Sequence, residues 1–448
     1  MPRLLATLFL WALLVVVSCG RPTISADPTS AATSSFSDST TYNAARAQDP
    51  ARWPPNLTVT AEEDPGVRHS RLQLIWGLVG EIWGWAVLAT ILFTGLSPRI
   101  EQVAAHLFHN RLGTLVPFVA LLSLVLSLIG LPIAYYRGFV IEHEFGLSNQ
   151  TLFAWLSDYG KSFGLALAGN LILFGLVYLF IRRYSNRWWL YSAILVIVFS
   201  VIIAGLAPVV ISPLFNKFEP IQDQGLRQRI MTLARNGGVE VADVLQTDMS
   251  RQTKAANAYF TGIGPTKRIV LGDNLLANFT DDEILTVVAH EMGHQVHNDL
   301  WRGLGAGAIL FLVGFYVLRR SAGLLVSRFG ARFGFRTLAD SASLPLLLLL
   351  FGIISFLMGP VQNAFSRYIE HEADAYAIEL TGKNEAYASA LQKLGVVNVA
   401  DPNPPEWIEF VFYSHPSLKK RIEFAQGYNR MSSAPRAFLG TDSSRHTR

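Results

Sequence analysis

Apolar residues run along this chain in blocks too long for strands, near residues 72 to 95, 114 to 135, 162 to 181, 187 to 210, 303 to 319 and 342 to 361. A hydrocarbon core of about 30 Å takes roughly 20 helical residues at 1.5 Å each, so every block predicts a membrane-spanning helix. Trp76, Trp155, Trp188, Trp189 and Trp301 fall at or near block ends, where amphipathic rings prefer the interface. Elsewhere the pattern is local. Thr280 and Glu283 read as a capping box, and Ile284, Leu285, Val287 and Val288 give the next turns an apolar side, predicting a helix to about Asn298. Asn257 to Phe260 and Arg268 to Leu271 read as two short strands around a Gly/Pro turn.

Composition agrees, with 51% hydrophobic and only 16% charged residues. The formal charge of +4 owes much to arginines flanking the apolar blocks, and no basic patch with interleaved aromatics points to nucleic acid. Met1 to Ser18 has Arg3, an apolar stretch, and then Val16-Val17-Ser18-Cys19, which fits a bacterial lipobox with Cys19 lipidated; the alternative is an uncleaved first membrane helix. Cys19 is the only cysteine, so no intramolecular disulfide forms. Residues 20 to 70, rich in Ser, Thr, Ala and Pro, read as a disordered linker, and 431 to 448 as a loose polar tail.

The chemistry is carried by His290-Glu291-Met292-Gly293-His294. Positions i and i+4 lie about 40° apart around a helix, so both imidazoles meet one point and can grip zinc, with Glu291 placed to take a proton from the attacking water. Catalytic zinc takes a third protein ligand. Ser366 to Asp374 offers one, because Glu370 and Asp374 are again i and i+4: one carboxylate can bind the metal while the other accepts the free N–H of a ligating imidazole.

These motifs resemble the HExxH integral-membrane zinc metalloproteases that include the type 1 CAAX prenyl protease. The similarity begins near Gly130-Leu131-Pro132, continues through Phe139 to Gly146 and Pro213 to Phe218, and reaches Ser414-His415-Pro416, about two thirds of the chain. It implies one zinc per chain on His290, His294 and Glu370, the glutamate of an SRxxExxAD pattern, with Asp374 behind the ligands. It also implies that Asn257-Ala258 holds the substrate backbone as an added strand, and that His415 points into the site to stabilise the oxyanion. Membrane helices forming a barrel around a large chamber are a further implication, as are substrates with a prenylated C-terminal CAAX segment. His297 and His371 are expected outside the metal's ligands.

The expected fold is mainly α: four spans over 71 to 210, then a zincin-like metalloprotease domain over 211 to 430 with a small β element, interrupted by the last two spans. The expected function is a zinc metalloendopeptidase cutting peptide or protein chains near the bilayer, CAAX ends or membrane polypeptides in general clearance. A metal-bound but inactive scaffold is disfavoured by Glu291. A transporter would need paired ionisable residues inside the spans, where Glu81 stands out alone. Arginines cluster at 96 to 113, 182 to 187 and 319 to 341, whereas 136 to 161 carries only Arg137 and Lys161. The positive-inside rule then places the site on the periplasmic side of a bacterial inner membrane, while the resemblance implies a cytosolic site.

Overall fold

The computed structural model describes residues 64–107, 111–262 and 264–428; the lipobox with Cys19, nearly all of the 20 to 70 linker and the 431 to 448 tail lie outside them. Helix α1 (Pro65–Phe93) starts inside the stretch assigned to the linker. Its start is built locally: the Asp64 carboxylate accepts from the Gly66 and Val67 amides and Pro65 occupies the first turn. His69 Nδ1 donates to the Val399 carbonyl at 3.0 Å, and the Asp401 amide donates to Ser70 Oγ at 2.9 Å, so this turn is anchored from far along the chain.

After α2 (Leu96–Leu107) come α3 (Arg111–Tyr135), α4 (Leu152–Arg183) and α5 (Trp188–Leu206). The helix of α3 widens to a π turn at Tyr136–Ile141, a few residues beyond Pro132, which has no amide hydrogen to give. Among the described residues, six helices are long and apolar enough to cross a bilayer: α1, Gly113–Glu144, α4, Trp188–Leu214, Asp299–Phe333 and Ser341–Thr381. Large side chains such as Ile82, Leu128, Ile172 and Ile309 stay exposed along them, as a lipid-facing surface requires. Their inner faces pack into one core that includes Leu88, Phe118, Tyr178, Val196, Leu318 and Phe351.

The last two spans extend beyond the predicted blocks. Helix α9 (Asp299–Phe333) has 35 residues, about 52 Å at 1.5 Å each, and takes in Arg319, Arg320, Arg328 and Arg332 of the arginine cluster at 319 to 341. At its far end the arginine-rich segments meet: Ser97 Oγ donates to the Ala342 carbonyl, Arg182 Nε to the Ala339 carbonyl, and the Ser341 amide to Glu101. Helix α10 (Leu344–Thr381) starts at that pole, and its 38 unbroken residues carry the apolar block and Glu370 alike, so the acidic run is not a separate helix.

At the opposite pole lies a four-stranded mixed sheet in the order β1-β2-β4-β3. Strand β1 (Phe218–Pro220) is antiparallel to β2 (Asp243–Thr247), β2 is parallel to β4 (Arg268–Gly272), and β4 is antiparallel to β3 (Ala258–Thr261). The expected strand pair is present but is half of a larger sheet, because β2 reaches β4 through a non-local pairing. Helix α6 (Gln224–Asn236), the short α7 (Asp273–Asn278) and α8 (Asp281–Val296) flank the sheet, and α11 (Asn384–Val397), α12 (Glu406–Phe412) and α13 (Leu418–Gly427) are the last of the described helices.

The capping box at α8 is present, with Glu283 accepting from the Thr280 amide. Burial pushes the Glu283 carboxyl up, but Lys393, Ser389 and the Thr280 amide outweigh it and hold it below its ordinary value of 4.5. A depressed carboxyl stabilises the fold above its unfolded value, and that contribution is lost as pH falls through its folded value. Glu283→Gln is therefore expected to cost about 1–3 kcal/mol near neutral pH. The gap to wild type should close on acidification below pH 4, read by thermal melts in detergent. A gap constant with pH would count against the charge.

Candidate active site

Helix α8 buries Ile284, Leu285, Val288 and Met292 in a core shared with Phe260, Ile269 and Leu271 of the sheet, which fixes the roll of the helix. Its HExxH face then turns to α10. The two helices cross at Gly293, where a Cβ would lie 3.0 Å from Ala373 Cα, so a larger residue would push them apart. That close crossing brings Glu370 and Asp374, on either side of Ala373, up to the histidines. The helix stops at Val296, two residues short of the expectation, because Asn298 takes φ 55 and starts α9 in a new direction.

Three donor atoms converge. His290 Nε2 lies 3.2 Å from His294 Nε2 and 3.3 Å from Glu370 Oε2, and His294 Nε2 lies 3.7 Å from Glu370 Oε1. Ligands about 2.1 Å from a tetrahedral ion sit roughly 3.4 Å from one another. The protons decide whether the group suits a metal. His290 Nδ1 is 2.9 Å from Asp374 Oδ1 and His294 Nδ1 is 3.0 Å from Asp299 Oδ2, so each imidazole donates its Nδ1–H backwards and presents a lone pair forwards. Glu370 is 4% exposed, and its Oε2 is buried with no hydrogen-bond partner. Lone pairs facing one another in a dry site repel unless a cation sits among them, and His290, His294 and Glu370 are the group among the described residues that could hold one.

Charge balance points the same way. Arg421 grips Asp374 with two bonds, Nε to Oδ2 at 2.9 Å and Nη2 to Oδ1 at 2.7 Å, and Tyr387 donates to Asp374 Oδ1 at 2.5 Å. Arg302 meets Asp299 at 2.8 Å and Glu372 at 2.7 Å. The carboxylates behind both imidazoles thus each meet an arginine at hydrogen-bond distance, whereas Glu370 at the centre has Arg421 Nη2 no nearer than 4.0 Å. Burial and Asp374 push the Tyr387 hydroxyl well above its usual range, which keeps it a donor.

His415 is brought into the site, with Nε2 donating to Glu370 Oε1 at 2.9 Å and Nδ1 accepting from Ser414 Oγ at 3.1 Å. Glu291 is partly exposed on α8. Ala258 opens β3, which packs on α8 and is an edge of the sheet, and Asn257 immediately precedes it. His297 and His371 lie apart from the metal group, against the rings of Tyr376 and Phe424. Cys19 lies outside the described residues.

The motif at Phe139 to Gly146 works as a brace. Glu142 is bonded to Gln73 and His69, and the following turn accepts the Lys254 amide on Leu147 at 2.8 Å, steadying the lead-in to β3. Asp299, Arg302, Tyr387 and Arg421 had not been singled out in the sequence. Only Asp299, an acid placed just past the HExxH helix, left a local signal.

A membrane helix bundle that delivers an HExxH helix and a carboxylate-bearing helix to one pole defines a membrane metalloprotease. The chain belongs to peptidase family M48, whose model matches residues 220–429, preceded at 66–217 by a match to "CAAX prenyl protease N-terminal, five membrane helices". It is 35% identical over 379 residues to "Uncharacterized metalloprotease YhfN" of Bacillus subtilis (84% of this chain, 88% of that one). It is 29% identical over 425 residues to "CAAX prenyl protease 1" of Saccharomyces cerevisiae (87% and 91%). The crystal structure of S. mikatae Ste24p aligns with a TM-score of 0.73 at 28% identity, covering 88% of this chain and 96% of that one. The family implies a divalent metal, which the lone-pair geometry fits.

Proposed function

We propose that the protein is a zinc endopeptidase that cuts extended polypeptide segments at the membrane surface, with His290, His294 and Glu370 as the metal ligands. The observation that carries this reading is the convergence of three donor atoms, one from each residue, with each imidazole held from behind by its own carboxylate. When bound there, zinc would bring the pKa of a water down to about 7 and polarise the scissile carbonyl. The remaining steps belong to the chain. Glu291 accepts a proton from the attacking water and delivers it to the leaving amine. Asp374 and Asp299 hold the imidazoles in the tautomer that points Nε2 forwards. His415, resting on Glu370, has an Nε2–H to offer to negative charge developing on the carbonyl oxygen. Strand β3 offers its open edge from Ala258 to an extended substrate backbone, with Asn257 beside it.

The substrate class we propose is a peptide chain delivered along the bilayer, including C-terminal CAAX segments of the kind named for the eukaryotic relatives. We further propose that the site faces the periplasm of a bacterial inner membrane. Supporting this, the arginine-rich segments meet at the far ends of α4, α9 and α10, away from the metal group. The division into a four-span part over 71 to 210 and a protease part over 211 to 430 is proposed on the same grounds, with the start of the first part moved to Pro65.

Zinc content and cleavage of a quenched peptide and a farnesylated CAAX peptide test the reading. The purified wild type is expected to hold about one zinc per chain, to lose activity to a chelator and to regain it with zinc. Zinc without cleavage of either peptide would favour a scaffold, and absence of zinc would sink the ligand assignment.

A further inference from the structure

Asn398 has no part in the chemistry above, yet it is 3% exposed, at the C-terminal end of α11. Its carboxamide serves a single backbone residue: Oδ1 accepts the Ala256 amide at 3.0 Å, and Nδ2 donates to the Ala256 carbonyl at 3.5 Å. An amide that satisfies both groups of one extended residue does what a neighbouring strand does. The side of the sheet on which it does so is set by the next residue. The Asn257 carbonyl accepts the Gly272 amide at 2.9 Å, towards β4. Backbone groups of successive extended residues point to opposite sides, so Ala256, Ala258 and Phe260 address the outer edge of β3. Asn398 therefore stands in the row that an added strand would fill, one position ahead of Ala258.

Its placement is enforced. Val399 has φ 48, a left-handed conformation that a β-branched residue reaches only at a cost of about 1–2 kcal/mol. Such strain persists when the surroundings hold it. Here the Val399 carbonyl is tied to His69, its side chain packs beside Ile141 and Leu147, and Asn274 Nδ2 fastens the Thr253 and Ala255 carbonyls at 2.7 and 3.1 Å. The strained turn aims the Asn398 amide at the strand edge instead of leaving it to solvent.

We propose that Asn398 is an end stop for the substrate: it occupies the edge of β3 at Ala256, so a bound peptide starts pairing at Ala258 and its register against the metal site is fixed. This rests on reading β3 as the substrate edge. A strand added antiparallel to β3 points its C-terminal end at Asn398, so the stop limits how many residues follow the scissile bond. Slippage along a strand that keeps the same side chains on each face moves two residues at a time. Asn398 acts through the position of the substrate and is a positioning residue.

The test uses one peptide sequence extended at its C-terminus by zero, two or four residues, with products identified by mass spectrometry. The full-length wild type is expected to cut at a constant distance from the C-terminus across the series. Asn398→Leu, which removes both bonds, is expected to spread cleavage to bonds two residues away, changing the product ratio by roughly fivefold, the worth of about one net hydrogen bond. Asn398→Asp keeps the acceptor for the Ala256 amide and should give a smaller change, with KM affected more than kcat. Product ratios do not depend on how much enzyme is folded, so reduced yield of either variant leaves the readout intact. A wild-type cut that stays at one internal bond whatever the extension, or ratios unchanged in both variants, overturns the end stop while leaving the protease reading standing. Absence of any cleavage by the wild type overturns that reading and the end stop with it.

Discussion

Glu291→Gln is expected to lower peptide hydrolysis by about 10²–10⁴-fold while leaving metal content at the wild-type level. The two effects separate because of where the residue stands. Its neighbours His290 and His294 turn Nε2 towards Glu370, and each is steadied from behind by Asp374 or Asp299. Glu291 takes no part in that network as described, so an amide in its place leaves the donor set and its charge intact. What is lost is a carboxylate able to take a proton from water and return it to the amine. Metal analysis together with steady-state kinetics on one quenched peptide checks both halves. A Glu291→Gln protein that lost its metal would place the residue in the ligand network, and one that kept full activity would remove it from the mechanism.

Asp374→Ala is expected to damage both the site and the fold. Asp374 is 1% exposed and accepts from His290, Tyr387 and twice from Arg421, itself 5% exposed. Removing the carboxylate leaves the guanidinium buried without its partner, which costs about 3–5 kcal/mol. It also frees His290 to rotate or change tautomer, which costs about 10–100-fold in metal affinity. A double variant separates the two losses. Asp374→Ala combined with Arg421→Met removes the stranded charge and should recover most of the thermal stability, while metal affinity stays low because the His290 Nδ1–H still lacks its acceptor. Recovery of metal affinity in the double variant would show that Asp374 matters for the ion pair alone.

How much of this site could be read from residues alone followed from sequence distance. Two histidines four apart on a helix with its own capping box share a face through local geometry, and the structure keeps them there. Glu370 and Asp374 obey the same rule, but nothing local says that their helix crosses α8. Family resemblance supplied the choice of Glu370. Tyr387 and Arg421 lie on α11 and α13, and neither spacing nor composition links them to His290. The sheet divides the same way: β3 and β4 are antiparallel neighbours in sequence and could be read as a pair, whereas β2 joins β4 across a parallel register that only the folded chain reveals. The start of α1 had a local signal in Asp64 followed by Pro65, but the partners that anchor that turn, Val399 and Asp401, are more than 300 residues away.

By itself the sequence determined a polytopic helical protein with an HExxH helix, because bilayer thickness and helical pitch translate directly into block length and i, i+4 spacing. Tertiary structure decided the rest. It lengthened the last span into a helix that delivers Glu370, used the absence of a side chain at Gly293 to bring α8 and α10 together, and put an arginine behind each imidazole's carboxylate. It also set Asn398 against the edge of β3 through a strained turn at Val399. These outcomes depend on close packing and on satisfying buried polar groups, interactions between residues that the chain separates by tens to hundreds of positions and that only the folded state brings within hydrogen-bond reach.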